Sequence, residues 1–318
     1  MTFIYDALGV VFGPVMAVIY SVVNNYGIAI ILFTIFCRLL MLPSAISQQK
    51  NLAKNQRMQY KMRKINERYK DDRQRLQQET QEFYRREGYN PMSAGCSGGM
   101  LLQMPIMFGL IAAIYRPLQY TLKIPMEVLN KLGENAAKIL ADDKLKPGLL
   151  NIQLRIAENI DKFQAMFGMG DGLIDPKWLE AIREFTEHFR LFGLDLGKTP
   201  SEGKWYYYAI PILAGLTQMA LSLFTTLRQR KTNPAQQQGM AMMIVMSLGM
   251  PIMSAVFALQ FPVGIGMYWI VGTVFAFVQT LVLGWTHPPQ KMLAKSMVDE
   301  TIERRSRENS RKKVAEIN

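Results

Sequence analysis

One charged residue stands inside an apolar block of this 318-residue chain: Arg38, within the run 28–42 and flanked by Phe36-Cys37 and Leu39-Leu40. An arginine in a membrane helix costs roughly 2.5–3.5 kcal/mol on insertion scales. It cannot escape by losing its proton, so it must meet a partner or water. No Asp or Glu occurs in any of the chain's long apolar blocks, so no acid within them can neutralise it. Two readings stand. Arg38 faces a water-filled cavity open to the cytoplasm, where it would offer charge-assisted contacts to acidic groups. Alternatively it snorkels to the headgroups, since the polar run Ser47-Gln48-Gln49 begins about two to three helical turns later, beyond Pro43.

Other polar residues sit inside apolar blocks: Thr34, Gln103, Thr217, Gln218, Ser222, Gln260, Thr273 and Gln279. Singly, such side chains glue helices together. Together with Arg38 they could line one hydrophilic groove. Tyr268-Trp269 would be an interfacial belt pair or a groove wall. Met100, Met104 and Met107 share a face, and Met242, Met243, Met246, Met250 and Met253 crowd another block. Methionine fills gaps and also suits a promiscuous apolar surface. There is no Gly-rich phosphate loop, no His or Cys cluster and no Ser/His/Asp set. Neither an enzyme nor a cofactor is expected.

The elements that hold these residues follow from the apolar blocks. The composition is 49% hydrophobic with mean hydropathy +0.03, but apolar residues and charges segregate. Five blocks approach the ~20 apolar residues that a spanning helix needs. The expected fold is an all-α membrane protein with five transmembrane helices, at 26–48, 96–117, 205–227, 240–261 and 263–285. Residues 1–25 hold a shorter apolar run with Gly13-Pro14, read as a helix in the interface or docked on the bundle. The stretch after the first block carries twelve basic residues against six acids, and the short loop 228–239 carries three basic residues and no acid. The tail 286–318 has eight against five, whereas Arg116–Lys204 balances at thirteen of each. Basic loops stay inside, so the N-terminus is expected outside and the C-terminus inside. The net charge of +12 therefore reflects topology and attraction to anionic lipid. Ribosomal RNA is an additional candidate for the tail.

Residues 49–95 read as a cytoplasmic helical hairpin broken at Lys70-Asp71-Asp72 and stopped at Gly88–Pro91, or as a solvated connector. Residues 118–204 read as a small helical extracytoplasmic insertion. One stripe runs Leu149, Ile152, Ile156, Ile160, Phe163 and Phe167. A second helix starts at Asp175-Pro176 and is lined by Leu179, Ile182, Phe185, Phe189 and Phe192. Cys37 and Cys96 read as apolar filler without a disulfide.

Several segments together resemble the YidC/Oxa/Alb membrane insertases. "FCRLLMLPSAISQQKNLAKNQRMQ" looks like that family's Arg-bearing first span. "YKDDRQRLQQETQEFYRREGYNPMSAGC" resembles its hairpin, and "LLQMPIMFGL" its Gln-Met-Pro motif. "FGLDLGKTP" and "YYYAIPILAGLTQ" are similar to the entry into the third span and the span itself, and "FPVGIGMYWIVGTVFAFVQT" to the last. The resemblance implies lateral insertion and folding of membrane proteins, alone or beside the Sec translocon. It implies that Arg38 attracts acidic or polar substrate tails into a groove lined by Gln218 and Trp269, with Gln103 as a further candidate; Tyr268 and Gln279, read from the residues above, complete the candidate lining. The partners implied are nascent membrane proteins, membrane lipids, the ribosome through the basic tail, and the signal recognition particle or its receptor through the hairpin. The bacterial cytoplasmic membrane is the implied location. The chain departs from the pattern where "CSGGM" follows the family's Cys, and where Gly272-Thr273 replace a polar Asn or Ser. A small-anion channel or transporter centred on Arg38, and a structural assembly factor, are the rival functions.

Overall fold

A computed structural model describes residues 2–86, 98–141, 149, 151–170, 173–232, 240–286, 288 and parts of 291–308. The stop at Gly88–Pro91, Cys96, and the side chains of Gln103, Met100, Met242, Met243, Met246 and Met250 lie outside the described residues. Among the described residues the chain is helical apart from one two-stranded hairpin and an isolated bridge between Phe167 and Ile174. Among the described residues, two helical stretches, Trp205–Arg228 and Val263–Thr286, are long and apolar enough to cross a membrane; a third counts if Tyr26–Leu40 and Leu42–Gln49 form one broken span. The other apolar helices, Ala7–Val23, Met104–Tyr115 and Ser247–Gln260, are shorter over their described lengths.

Two compact units emerge. The first holds Met1–Leu40, Leu102–Ser222 and Leu248–Phe275; the second holds Met41–Leu101, Leu223–Ser247 and Ala276–Asn318.

In the first unit, α1 (Thr2–Val23) turns at Asn24, in the left-handed region, into α2 (Tyr26–Leu40). The Asn25 side chain accepts from the Ile28 backbone N–H at 3.1 Å and so caps α2. Ring contacts Tyr20–Tyr26 (5.9 Å) and Phe12–Phe33 (6.0 Å) run in opposite sequence directions. The N-terminal helix is thus docked on α2 as an antiparallel partner.

The same unit holds a helical cap. Its elements are α6 (Pro117–Tyr120), α7 (Met126–Leu140), α8 (Ile152–Glu158), a 3-10 turn at Ile160–Met166 and α9 (Pro176–His188). A core of Leu118, Leu129, Leu132, Ala136, Ile156, Phe163 and Ile182 joins them. The Asp175 carboxylate accepts from the Lys177 N–H at 3.0 Å, which caps α9.

Two expectations need correction here. The stripe from Leu149 to Phe167 is not one helix: α8 ends at Glu158, where the Asn159 side chain donates to the Arg155 carbonyl at 3.1 Å and satisfies a group the helix leaves open. The stripe of α9 ends at Phe189, which is buried, because the chain then folds into a hairpin of β1 (Arg190–Leu191) and β2 (Leu194–Asp195) with exposed Phe192 in its turn.

Beneath β2, Glu158 sits 3.7 Å from Arg155, which also pairs with Glu202 at 2.8 Å. Burial, then the Asp195 carboxylate, pushes Glu158 up to about 7, against the pull of Arg155 and Lys198.

In the second unit, α3 (Leu42–Arg68) and α4 (Arg73–Arg86) pack on each other across the turn 69–72. Pro43 lies in the first turn of α3, where its missing N–H costs nothing and its ring cannot continue α2. Charge pairs such as Arg63–Glu67 (2.7 Å) decorate the helices.

Candidate functional site

The site is built from three helical segments of the first unit. These are α2 and the parts of α10 (Ala209–Thr232) and α12 (Val263–Thr286) up to Ser222 and Phe275. Glycines let α12 nestle closely among its neighbours. A Cβ on Gly264 would stand 3.2 Å from Ile30 and 3.3 Å from Ile114, and one on Gly266 would stand 2.5 Å from Ile210. The small residues therefore place α12 against α2, α5 (Gly98–Tyr115) and α10 at once. Gly215 likewise brings α10 close to α11 (Met240–Gln260), since a Cβ there would stand 3.2 Å from that of Ala255.

Arg38 lies near the end of α2, and its guanidinium rests on Gly272. A Cβ at that position would come to 2.9 Å from Nη2 and 3.6 Å from Nε. Tyr268, one turn earlier on α12 and buried, is in electrostatic reach of the guanidinium. Among the described residues no carboxylate pairs with Arg38. Next to Gly272, the buried Thr273 hydroxyl donates to Gln218 Oε1 at 3.2 Å. This bond crosses from α12 to α10. A cation, a phenol, a hydroxyl and an amide therefore share a short stretch of these mostly apolar helices.

The remaining candidates divide. Trp269 is half-buried and packs at 6.3 Å from Phe257 and 6.0 Å from Phe261, so its ring belongs to an aromatic cluster with the end of α11. Gln103 lies on α5, with its side chain outside the described set. Gln279 is half-buried in the second unit. Thr34 and Thr217 bond back to their own helices, at 2.6 Å to the Ile30 carbonyl and 2.8 Å to the Leu213 carbonyl, so each hydroxyl is satisfied locally.

Sequence reasoning missed the role of Gly272 as a seat. It also counted Arg228 only as a loop charge. In the second unit, Arg228 donates to the Thr280 carbonyl at 2.9 Å and its guanidinium fills the space over Gly284. Beside it, Phe224 and Phe277 meet edge to face at 5.0 Å. The signal was an Arg at the end of one apolar block and a Gly in another, which no spacing rule connects. Among the described residues no cluster of three His, Cys, Asp or Glu could hold a metal ion.

Comparison with known proteins bears on the family. Residues 18–288 match the 60Kd inner membrane protein family. The chain is 30% identical over 264 residues to the membrane protein insertase MisCA of Bacillus subtilis (strain 168), covering 82% of this chain and 70% of that protein. It is 28% identical to the membrane protein insertase YidC 2 of Bacillus anthracis, over 80% of this chain and 71% of that protein. It is 27% identical to the membrane protein insertase YidC of Geobacter metallireducens, over 82% of this chain but only 33% of that longer protein.

Proposed function

This chain belongs to the 60Kd inner membrane protein family, and from that premise we propose that it inserts membrane proteins into the bacterial cytoplasmic membrane and helps them fold. The observation that carries the reading is Arg38, held on Gly272 beside the Gln218–Thr273 pair among mostly apolar helices.

A hydrophilic tail crossing hydrocarbon leaves polar groups unsatisfied, each at several kcal/mol. A groove holding Arg38, Gln218 and Thr273 gives those groups temporary partners and shortens the dry path. Arg38 offers an acidic tail a charge-assisted contact. Tyr268 and Gly272 keep the guanidinium at one place on α12. Gln103 and Trp269 extend the groove lining. The arriving apolar segment then leaves sideways into lipid, and its burial drives the step. No nucleotide is required.

In this account the five spans run with the N-terminus outside and the C-terminus inside. The α3–α4 hairpin faces the cytoplasm, where it meets the signal recognition particle or its receptor, and the basic tail meets the ribosome. Nascent membrane proteins are the substrates, delivered directly or beside the Sec translocon.

Purified protein in liposomes, with a photoreactive residue at position 218, tests the function. Insertion of a one-span substrate above that in empty liposomes, with a transient adduct at 218 while the tail crosses, is expected. Insertion without an adduct until the substrate is fully inserted would move the role to later assembly.

A further inference from the structure

The hairpin tip carries an aromatic residue in an unsuitable backbone. Phe192 has φ +53° and Gly193 has φ +76°, between the paired residues Leu191 and Leu194. Positive φ at both central positions is the tight hairpin geometry that favours Asn or Asp followed by Gly. Phenylalanine takes it with strain, and its ring is left 89% exposed. Nothing in the turn itself calls for a ring there.

The surroundings place that ring at the entrance of the spans. Leu191 packs on Gly27 in the first turn of α2, at 2.6 Å from where its Cβ would be, and Asn25 donates to the Arg190 carbonyl at 3.2 Å. The backbone N–H groups of Gly264 and Val263, at the start of α12, donate to the carbonyls of Leu196 (2.9 Å) and Lys198 (3.0 Å). The Asp195 N–H donates to Tyr207 Oη at 3.0 Å, in the 3-10 turn Trp205–Tyr208 that leads into α10. Trp205 in that turn is 84% exposed. The hairpin is thus tied to the same ends of three apolar helices, with two bare aromatic rings beside basic Arg190 and Lys204.

We infer that Phe192 and Trp205 are membrane anchors, seated in the headgroup–acyl boundary of the lipid leaflet at which α2, α10 and α12 begin. Aromatic rings concentrate at that depth, and the neighbouring basic side chains suit anionic headgroups. The strain at Phe192 is then offset by burial of its ring in lipid. The anchor holds the cap at a fixed height over the span entrances. The inference rests on those helices crossing the bilayer, but not on which way the chain faces, nor on any substrate.

The test uses the full chain with Cys37 and Cys96 replaced by Ala and single Cys at Phe192→Cys, Trp205→Cys or Val278→Cys, each carrying an environment-sensitive fluorophore. Position 278 reports the span itself. Vesicles of phosphatidylcholine and phosphatidylglycerol carry nitroxide quenchers at shallow or deep acyl positions, without substrate. Labels at 192 and 205 should be quenched severalfold more by the shallow nitroxide than by the deep one, and hardly by aqueous iodide. Quenching at 278 but only by iodide at 192 and 205 overturns the anchor and leaves the membrane reading intact. Protection at 192 and 205 from both lipid nitroxide and iodide overturns it too, because protein then covers the rings. Failure of lipid quenching at all three positions overturns both.

Discussion

The guanidinium of Arg38 rests on Gly272, so near that a Cβ there would stand 2.9 Å from Nη2. The absence of a side chain at 272 is what leaves room for the cation. Gly272→Ala should displace the guanidinium at an overpacking cost of ~1–3 kcal/mol. Insertion of an acidic-tailed substrate should fall about fivefold or more, by the usual rate arithmetic, while the protein still folds. Initial insertion rates in liposomes measure this. An unchanged rate would mean that the seat does not matter.

The Thr273–Gln218 bond separates helix glue from groove lining. Thr273→Val alone should destabilise the detergent-solubilised protein by about 1 kcal/mol, since one buried partner is left unmade. Adding Gln218→Leu should recover part of that loss, because two apolar groups can pack where the pair stood. Insertion should nevertheless fall further in the double variant. If insertion recovers together with stability, the pair is structural only.

These two residues also show what the sequence could reveal. Arg38 and Gln218 announce themselves, because charge or amide within apolar runs costs energy unless it is used. Gly272 does not, because a glycine has no chemistry until a partner helix is placed against it. The same holds for Arg228 over Gly284. The helix Met126–Leu140 shows its repeat Leu129, Leu132 and Ala136, but Lys131, Glu134 and Lys138 dilute it. Strands two residues long carry no alternation to read, so the hairpin that turns Phe192 outward stayed hidden, and the break at Asn159 depends on a side-chain bond that periodicity does not encode.

Arg228 and Gly284 should be coupled in stability. Gly284→Ala places a methyl where the Arg228 guanidinium lies and should detach it from the Thr280 carbonyl. The cost should be about 1–2 kcal/mol in the parent and near zero in an Arg228→Ala background. Thermal unfolding of the four proteins of the cycle decides it; equal costs in both backgrounds would deny the contact.

Glu158 makes the cap sensitive to pH. With its carboxyl pushed up to about 7, the folded chain holds this proton more tightly than the unfolded chain. Its contribution is therefore full below about 4.5, the ordinary glutamate value, and is lost as pH rises through about 7. Melting temperature should drop between pH 5 and pH 8. Glu158→Gln, neutral throughout, should remove most of that drop and be more stable at pH 8 by ~1–3 kcal/mol. An identical drop in the variant would place the titrating group elsewhere.

The charge of Arg38 is the centre of the account. Insertion of a one-span substrate with an acidic outer tail should be measured in liposomes for the parent, Arg38→Ala and Arg38→Lys. The account predicts that Ala abolishes insertion and that Lys, a cation without the planar fork, restores part of it. Insertion by Arg38→Ala at the parent's rate would contradict a charged groove and leave Arg38 as a snorkelling or structural residue.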